Sequence, residues 1–349
     1  MTKTTRLVTG GVDAHSDSHH AAALDERGQL LGDGAFAASI EGYHELLAWL
    51  ESFGQVGRVG VESTGSYAAG LARFLAARGI AVVEVNQPHA HTQRRRGKSD
   101  PLDAEAAARK VLAGEATASP KHREGIVESI RQLRVAREGA VKANTAALNQ
   151  LYELVITAPD ELRQQLAARK TSRGKATLCL RLRPDRTRLH EPLQAAKLAL
   201  RSIAERVREL DRQIGLLDRH LAQLVATAAP RTTSLLGVST QNAGQLLVTA
   251  GQNIERLPTD GAFAHLCGAS PIPASSGRTS RHRLNRGGDR KANRALHLIA
   301  VCRLRHCQTR AYATRRTSEG LSKKEIIRCL KRYIARELYH TLRADLTTT

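Results

Sequence analysis

Leu200, Ile203, Val207, Leu210, Ile214, Leu217, Leu221 and Leu224 recur at steps that alternate three and four without exception. That period is the seam of a coiled coil, so it imposes a long helix with one apolar stripe on the middle of the chain. A second helical pattern, roughly Gly125 to Val155, carries Ile126, Ile130, Leu133, Leu148, Leu151 and Leu154 around a polar, small-residue centre. The two helices pair as an antiparallel hairpin, or both associate between subunits; regularity over about three heptads favours a role in oligomerisation. Ala167 to Pro192, rich in Arg and Lys and flanked by breakers, reads as a basic loop or crossover.

Ahead of these helices the period changes. Leu7 to Asp13 reads as a buried strand ending on an acid, and His19–Leu24 and Gln29–Phe36 as two further strands around the turn-prone Asp25-Glu26-Arg27-Gly28. An amphipathic helix follows over Ile40–Phe53, then a strand Val59–Val61 ending at Glu62, a helix Tyr67–Ala77 and a strand Ile80–Val85. Lys98-Ser99-Asp100-Pro101-Leu102-Asp103 opens another helix, with proline at a favoured first position. Three strands, helix, strand, helix, strand, helix is the order of a ribonuclease H-like α/β fold.

In that order Asp13 and Glu62 close adjacent strands, and Asp100 and Asp103 share one helical face. Taken singly, Asp100 is explained as a cap, Asp103 as a first-turn charge and each strand-end acid as solvated. Taken together, carboxylates converging from separate segments repel unless a divalent cation neutralises them. Hard oxygen donors suit Mg2+, with Mn2+ the second candidate, and such ions serve phosphoryl transfer. Between strand and helix, His89 and His91 lie in a polar loop and read as exposed, whereas Arg94, Arg95, Arg96 and Lys98 read as backbone contacts to nucleic acid beside the acids.

Fifty-four Lys and Arg against 33 Asp and Glu give a net charge of +21, which calls for a polyanionic partner. No apolar run approaches the roughly 20 residues of a spanning helix, so nucleic acid is favoured over a membrane. The polar N-terminus leads straight into a strand with no visible signal peptide, and a cytoplasmic location is expected. Aromatic residues make up 3% of the chain, too few for a base-stacking sheet platform, so phosphate contacts should dominate recognition. Cys179, Cys267, Cys302, Cys307 and Cys329 lack the paired short spacings of a zinc site and read as ordinary thiols.

After Pro230 the chain reads as a more globular domain. Ser234–Leu247 has the glycine-bounded turn and apolar helix of a unit that presents amides to phosphates, and helices are expected over Thr259–Leu266, Ala292–Leu304 and Lys323–Leu342. Between the first two of these, Gly268 to Gly277 is a turn ending in Ser275-Ser276-Gly277, followed by Arg278, Arg281, Arg283, Arg286, Arg290, Lys291 and Arg294 with only Asp289 opposing them. A hydroxyl among that many guanidiniums suggests a phosphate; a basic surface loop is the plainer alternative.

Asp13, Glu62, the Lys98-to-Asp103 block, a coiled coil, Leu236-Gly237-Val238, and Gly268-Ala269-Ser270-Pro271 leading to Ser275-Ser276-Gly277 together resemble the DEDD transposases of the insertion-sequence one-ten family, relatives of the Piv and MooV DNA invertases. The resemblance spans nearly the whole chain. It implies a RuvC-like DEDD domain over 1–115, a helical coiled-coil region over 116–229 and a C-terminal transposase domain with a nucleophilic serine over 230–349. It also implies transposition through serine-linked DNA intermediates, guided by a non-coding bridge RNA that pairs with target and donor DNA. Dimers joining into a tetramer are implied too, with an active site combining the acids of one subunit and the serine of another.

By that resemblance Asp13, Glu62, Asp100 and Asp103 carry over as metal ligands and Ser276 as nucleophile, with Ser275 the alternative. The basic tract Arg281 to Arg290 departs from the commoner lysine-rich wording, which bears on which side chains grip phosphate. No histidine–acid triad is apparent, so the serine would be activated near metal-bound carboxylates, with Arg278, Arg281 or Arg283 stabilising charge on the phosphorane. Two rival readings use the same features: a metal-dependent junction-resolving nuclease with water as nucleophile, and a non-catalytic nucleic-acid-binding protein.

Overall fold

Leu7–Ala14 forms a strand (β1) with seven of its eight residues buried, which requires cover on both faces. Ser18–Leu24 (β2) and Leu30–Ala37 (β3) follow as an antiparallel meander, with Asp13 opposite His20 and Ala21 opposite Gly34. Helix Ile40–Ser52 (α1) leads to strand Gln55–Val61 (β4), parallel to β1 with Val12 opposite Val61. Helix Ala69–Ala76 (α2) then leads to strand Ala81–Glu84 (β5), parallel to β4. The sheet order is β3-β2-β1-β4-β5. This computed structural model describes residues 6–85, 99–278 and 282–347. His89, His91, Arg94, Arg95, Arg96, Lys98 and Arg281 lie outside the described residues.

Successive side chains of β1 point to opposite faces of the sheet, and the two central glycines show what covers each face. A β-carbon on Gly10 would touch Leu50 of α1, whereas one on Gly11 would collide with the Ala104 carbonyl oxygen and the Ala108 amide nitrogen. Those residues belong to helix Asp100–Leu112 (α3), which buries Ala104, Ala107, Ala108 and Val111. On the first face, Leu46, Leu47 and Leu50 of α1 and Leu71 and Leu75 of α2 form one core with Val8, Val12, Val59 and Val61. On the second, small residues on both partners let the α3 backbone lie almost against the sheet. A β-carbon on Gly60 of β4 would sit 2.6 Å from Val111 Cγ2 and 3.0 Å from the Ala107 carbonyl oxygen.

The chain divides into two units, Met1–Gly125 with Ala250–Thr259, and Ile126–Thr249 with Asp260–Thr349. The sheet and its helices lie in the first. Among the described residues the second is helical apart from one short hairpin. Gly125–Thr157 (α4), Asp160–Ala167 (α5), Ser172–Cys179 (α6) and Pro192–Ala228 (α7) share a core that includes Leu151, Val155, Leu162, Leu166, Leu200, Ile203 and Val207.

Helices α4 and α7 run antiparallel within the chain. Arg137 pairs with Asp218, Asn144 Nδ2 donates to Asp211 Oδ1 at 3.0 Å, and Arg206 Nη1 donates to Gln150 at 3.3 Å, so rising numbers on one helix meet falling numbers on the other. The heptad seam is buried at Leu200, Ile203, Val207 and Leu221 but only half-buried at Leu210, Ile214 and Leu217, level with Gly139 and Ala140 of α4. Of the two arrangements open to the heptads, the chain makes the antiparallel hairpin. The expected loop over Ala167–Pro192 is corrected in part: α6 forms there, and its Ala176 and Cys179 enter the shared core. Dense Lys and Arg conceal a short apolar stripe that α7 and α5 cover.

Beyond α7 come Pro230–Thr233 (α8), Thr240–Ala250 (α9), Asp260–Leu266 (α10), a hairpin of Ile272–Pro273 (β6) and His282–Arg283 (β7), Arg290–Arg303 (α11), Cys307–Ser318 (α12) and Lys323–Leu346 (α13). The last helix is the hub, packing on α8, α10, α11 and α12. Its buried Asp345 accepts hydrogen bonds from the Arg231 and Thr232 amides at 3.1 and 3.0 Å and from Thr232 Oγ1 at 2.8 Å, so α13 satisfies the otherwise orphaned donors of α8. Helix α12, which has no buried residue, was not anticipated from the sequence. Among the described residues no helix is long and apolar enough to cross a membrane.

Gly11→Ala forces α3 away from β1 and should destabilise the first unit by about 1–3 kcal/mol, the usual cost of overpacking. Gly139→Ala, at a helix position with nothing near its β-carbon, should stabilise by up to about 1 kcal/mol. Urea denaturation midpoints moving in opposite directions check both.

Candidate metal centre and serine hairpin

The close approach of α3 to the sheet delivers its first turn to the carboxyl end of β1. Asp13 lies at that end, with 8% of its surface exposed. Glu62 directly follows β4; its amide donates to the Val12 carbonyl at 3.1 Å, which locks it beside Asp13 across the parallel pair, and it too is 8% exposed. Ser99 is the cap residue of α3 in extended conformation, Pro101 stands in the first turn, and Asp100 and Asp103 are the acids of that turn, the first exposed and the second buried. Carboxylates there are favoured by the positive end of the helix dipole, which lowers the cost of gathering like charges.

His15 joins them. Its Nε2 lies 3.2 Å from Asp13 Oδ2 and 3.3 Å from Asp100 Oδ1. Asp13, His15 and Asp100 each offer a ligand atom, and among the described residues these atoms fall within 4.8 Å of one another. The structure therefore brings two of the four sequence-nominated acids directly together and adds a histidine that was not nominated. Glu62 follows the strand paired with β1, and Asp103 lies one turn along the helix from Asp100. The donors fit a divalent cation: carboxylate oxygens suit Mg2+ or Mn2+, and an imidazole nitrogen is a better ligand for Mn2+ than for Mg2+.

Ser63, directly after Glu62, holds φ at 57°, the left-handed region that a non-glycine residue rarely occupies. Its carbonyl accepts from the Ser66 and Ala68 amides at 2.8 and 3.3 Å, and buried Thr64 donates to Glu84 Oε1 at 2.8 Å. The chain thus turns sharply as it leaves the acid, a strain of the kind stored at functional positions.

Ser275, Ser276, Gly277 and Arg278 are all exposed beyond β6, in the connection leading to β7. Among the described residues the paired rungs are Ile272 with Arg283 and Pro273 with His282. The root of this hairpin is better tied than its arms. Gly268 leaves α10 with φ at 63°, and its carbonyl and that of Cys267 each accept from Asn293 Nδ2 at 2.9 Å. Asp289 caps α11 by accepting from the Lys291 and Ala292 amides, accepts from Thr249 Oγ1 at 2.7 Å, and through its own amide donates to the Leu266 carbonyl at 2.7 Å.

Arg283, Arg286 and Arg290 are exposed along β7, the following turn and the start of α11. Two cations, Arg290 and Lys291, thus stand at the positive end of a helix, where the dipole opposes them and an anion would relieve them. Lys291 is paired with Glu138, whereas Arg290 is exposed.

Residues 10–157, which include the sheet, α3 and α4, match the IS110 DEDD transposase model, described as a transposase. Residues 229–315, which include the serine hairpin, match the model described as a transposase of the IS116/IS110/IS902 family. The two matches support an enzyme acting on DNA, with phosphoryl transfer as the general reaction type. More narrowly, residues 10–157 match the DEDD domain of IS110 transposases and residues 229–315 the transposase domain of the IS116/IS110/IS902 family. No curated protein matches it.

Mn2+ titrated into the protein and followed by electron paramagnetic resonance should bind, with Asp13→Asn weakening binding about 10-fold or more. In His15→Ala the nitrogen hyperfine coupling to bound Mn2+ should disappear.

Proposed function

We propose that the chain is an insertion-sequence transposase that cuts and rejoins DNA through a covalent phosphoserine link made by Ser276. In this reading residues 1–115 form a ribonuclease H-like, RuvC-like domain, 116–229 a coiled-coil region and 230–349 the serine-bearing transposase domain. The observation that carries it is the gathering of Asp13 and Asp100, bridged by His15, at the end of the central strand of a β3-β2-β1-β4-β5 sheet. That strand order and an acid on each of β1, the end of β4 and α3 support the ribonuclease H-like reading.

The Ser276 hydroxyl loses its proton and its Oγ attacks the scissile phosphorus; one backbone P–O bond breaks, and the departing oxygen takes up a proton as a free hydroxyl. The phosphoserine link conserves the bond, so attack by a second DNA hydroxyl rejoins strands and returns the serine without a nucleoside triphosphate. Arg278 and Arg283, exposed around the hairpin, neutralise charge that grows on the phosphoryl oxygens. When bound to Asp13, Glu62, Asp100 and Asp103, Mg2+ or Mn2+ would supply Lewis-acid stabilisation of that charge. Ser275, equally exposed, is the alternative nucleophile.

Target and donor choice rests on a bridge RNA, a reading supported by the net charge of +21 on a chain with 3% aromatic residues. Arg94, Arg95, Arg96, Lys98, Arg278, Arg281, Arg283, Arg286 and Arg290 are the proposed backbone contacts. Dimers that join into a tetramer are the proposed assembly, with the half-buried stretch Leu210–Leu217 of α7 as its helical contact. The protein would work in the bacterial cytoplasm, at the nucleoid. A junction-resolving nuclease would use the same acids with water.

Incubating the protein with DNA, its RNA and Mg2+, followed by a denaturing gel, separates these readings. Covalent protein–DNA adducts should form and vanish in Ser276→Ala. Adducts at normal level in that variant overturn the assignment, and free cleaved ends without any adduct favour the nuclease.

A further inference from the structure

Beneath the root of the serine hairpin lies a cavity of about 860 Å³, bounded by the Gly268–Pro271 turn, β7 with the residues after it, and the first turns of α13. Its volume is in the range of small-molecule sites. Its lining is of two kinds. Arg283, Arg328 and Lys331 bring positive charge, and Leu284 and Tyr333, 46% and 60% exposed, bring an aliphatic and an aromatic surface. Glu325, the one acid of the lining, is tied to the cap of α13, accepting from the Ser322 amide at 2.9 Å and Ser322 Oγ at 2.7 Å, and its other oxygen lies 3.6 Å from Arg328 Nη2.

Lys331 is the residue that needs explaining. Only 6% of it is exposed, yet its Nζ donates to a neutral group, Asn293 Oδ1, at 2.9 Å, and no carboxylate among the described residues forms an ion pair with it. A desolvated ammonium without a counter-charge is costly, and such groups persist where an anion is to be met. Burial, and then the neighbouring Arg328 charge, hold the Lys331 ammonium below its ordinary pKa. Arg332, by contrast, has its partner in Asp260 at 2.8 Å.

We propose that this cavity is a nucleotide subsite, in which Lys331, Arg328 and Arg283 hold the phosphate of one unpaired deoxynucleotide and Tyr333 and Leu284 pack against its base. A base–aromatic contact tolerates any base, and cations on one wall with an aromatic ring on another are the two elements of single-strand binding. The cavity is joined to the hairpin: Asn293, which accepts from Lys331, also donates to the carbonyls of Cys267 and Gly268. The strand held there is therefore the one presented to Ser276. That last assignment rests on the transposase reading; the nucleotide chemistry does not.

The test is equilibrium binding of deoxythymidine 5′-monophosphate to the full-length protein at physiological salt, without cleavage. One equivalent should bind, and single-stranded oligothymidylate should displace it. Thymidine, inorganic phosphate and uridine 5′-monophosphate should each bind about tenfold more weakly or worse, and Lys331→Met, Arg328→Gln and Tyr333→Ala should each lose a comparable factor. Arg219→Met, an exposed cation of α7, should bind as the parent does.

Lys331→Met should also keep or raise the melting temperature, since it removes an uncompensated buried charge; if it does not fold, the two variants at the mouth of the cavity decide. Parent-like binding by those variants, or phosphate or the ribonucleotide binding as tightly as the deoxynucleotide, overturns the proposal. A chain that holds the nucleotide by these residues but forms no serine adduct sinks the transposase reading and leaves the subsite standing. Normal adducts with parent-like nucleotide binding in the variants do the reverse.

Discussion

The near-contact between the backbone of α3 and the strands β1 and β4 sets the rest of the first unit. Gly11 and Gly60 leave the room, and Ala104, Ala107 and Ala108 fill it with methyl groups rather than longer side chains. A helix seated at ordinary side-chain distance would carry Asp100 and Asp103 several ångströms from Asp13, about the difference between packing on leucines and packing on alanines. The tight helix–sheet contact is therefore what gathers the carboxylates, and His15 stands between two of them.

The second unit solves a different problem, how to hold a polar turn in place without burying unsatisfied groups. It uses side-chain amides and carboxylates as staples, with Asn293 on two carbonyls, Asp289 on the α11 amides and Thr249, and Asp345 on the start of α8. Each takes up backbone donors or acceptors that helix ends leave orphaned. Lys331 breaks the pattern, because its partner answers its hydrogen-bonding need and leaves its charge unanswered.

Much of this could be read from the chain. Strand and helix order in the first unit follows from period alone; Leu7–Ala14 and Ile40–Ser52 fall within a residue or so of the sequence reading, since both are long enough to show their pattern. The strand-end acids were legible because a carboxylate closing an apolar run stands out. His15 was not: two residues past Asp13, beside exposed serine and aspartate, it looks like loop. Helix α6 was hidden by its own cations, and α12 has no apolar face to announce it. The burial of Lys331 was unreadable because it sits in a run of basic residues on a helix whose partners lie far along the chain. Ser63 gives no warning either, since left-handed serine is a property of the turn and not of the residue.

Among the described residues, the hairpin that carries Ser275 and Ser276 pairs Ile272 with Arg283 and Pro273, which has no amide to give, with His282, and Ser275 to Arg278 are exposed. Its geometry is inherited from the staples at its base. The exposed segment Ser275 to Arg278 therefore takes no part in the core, and exchanging those residues should cost the globule little.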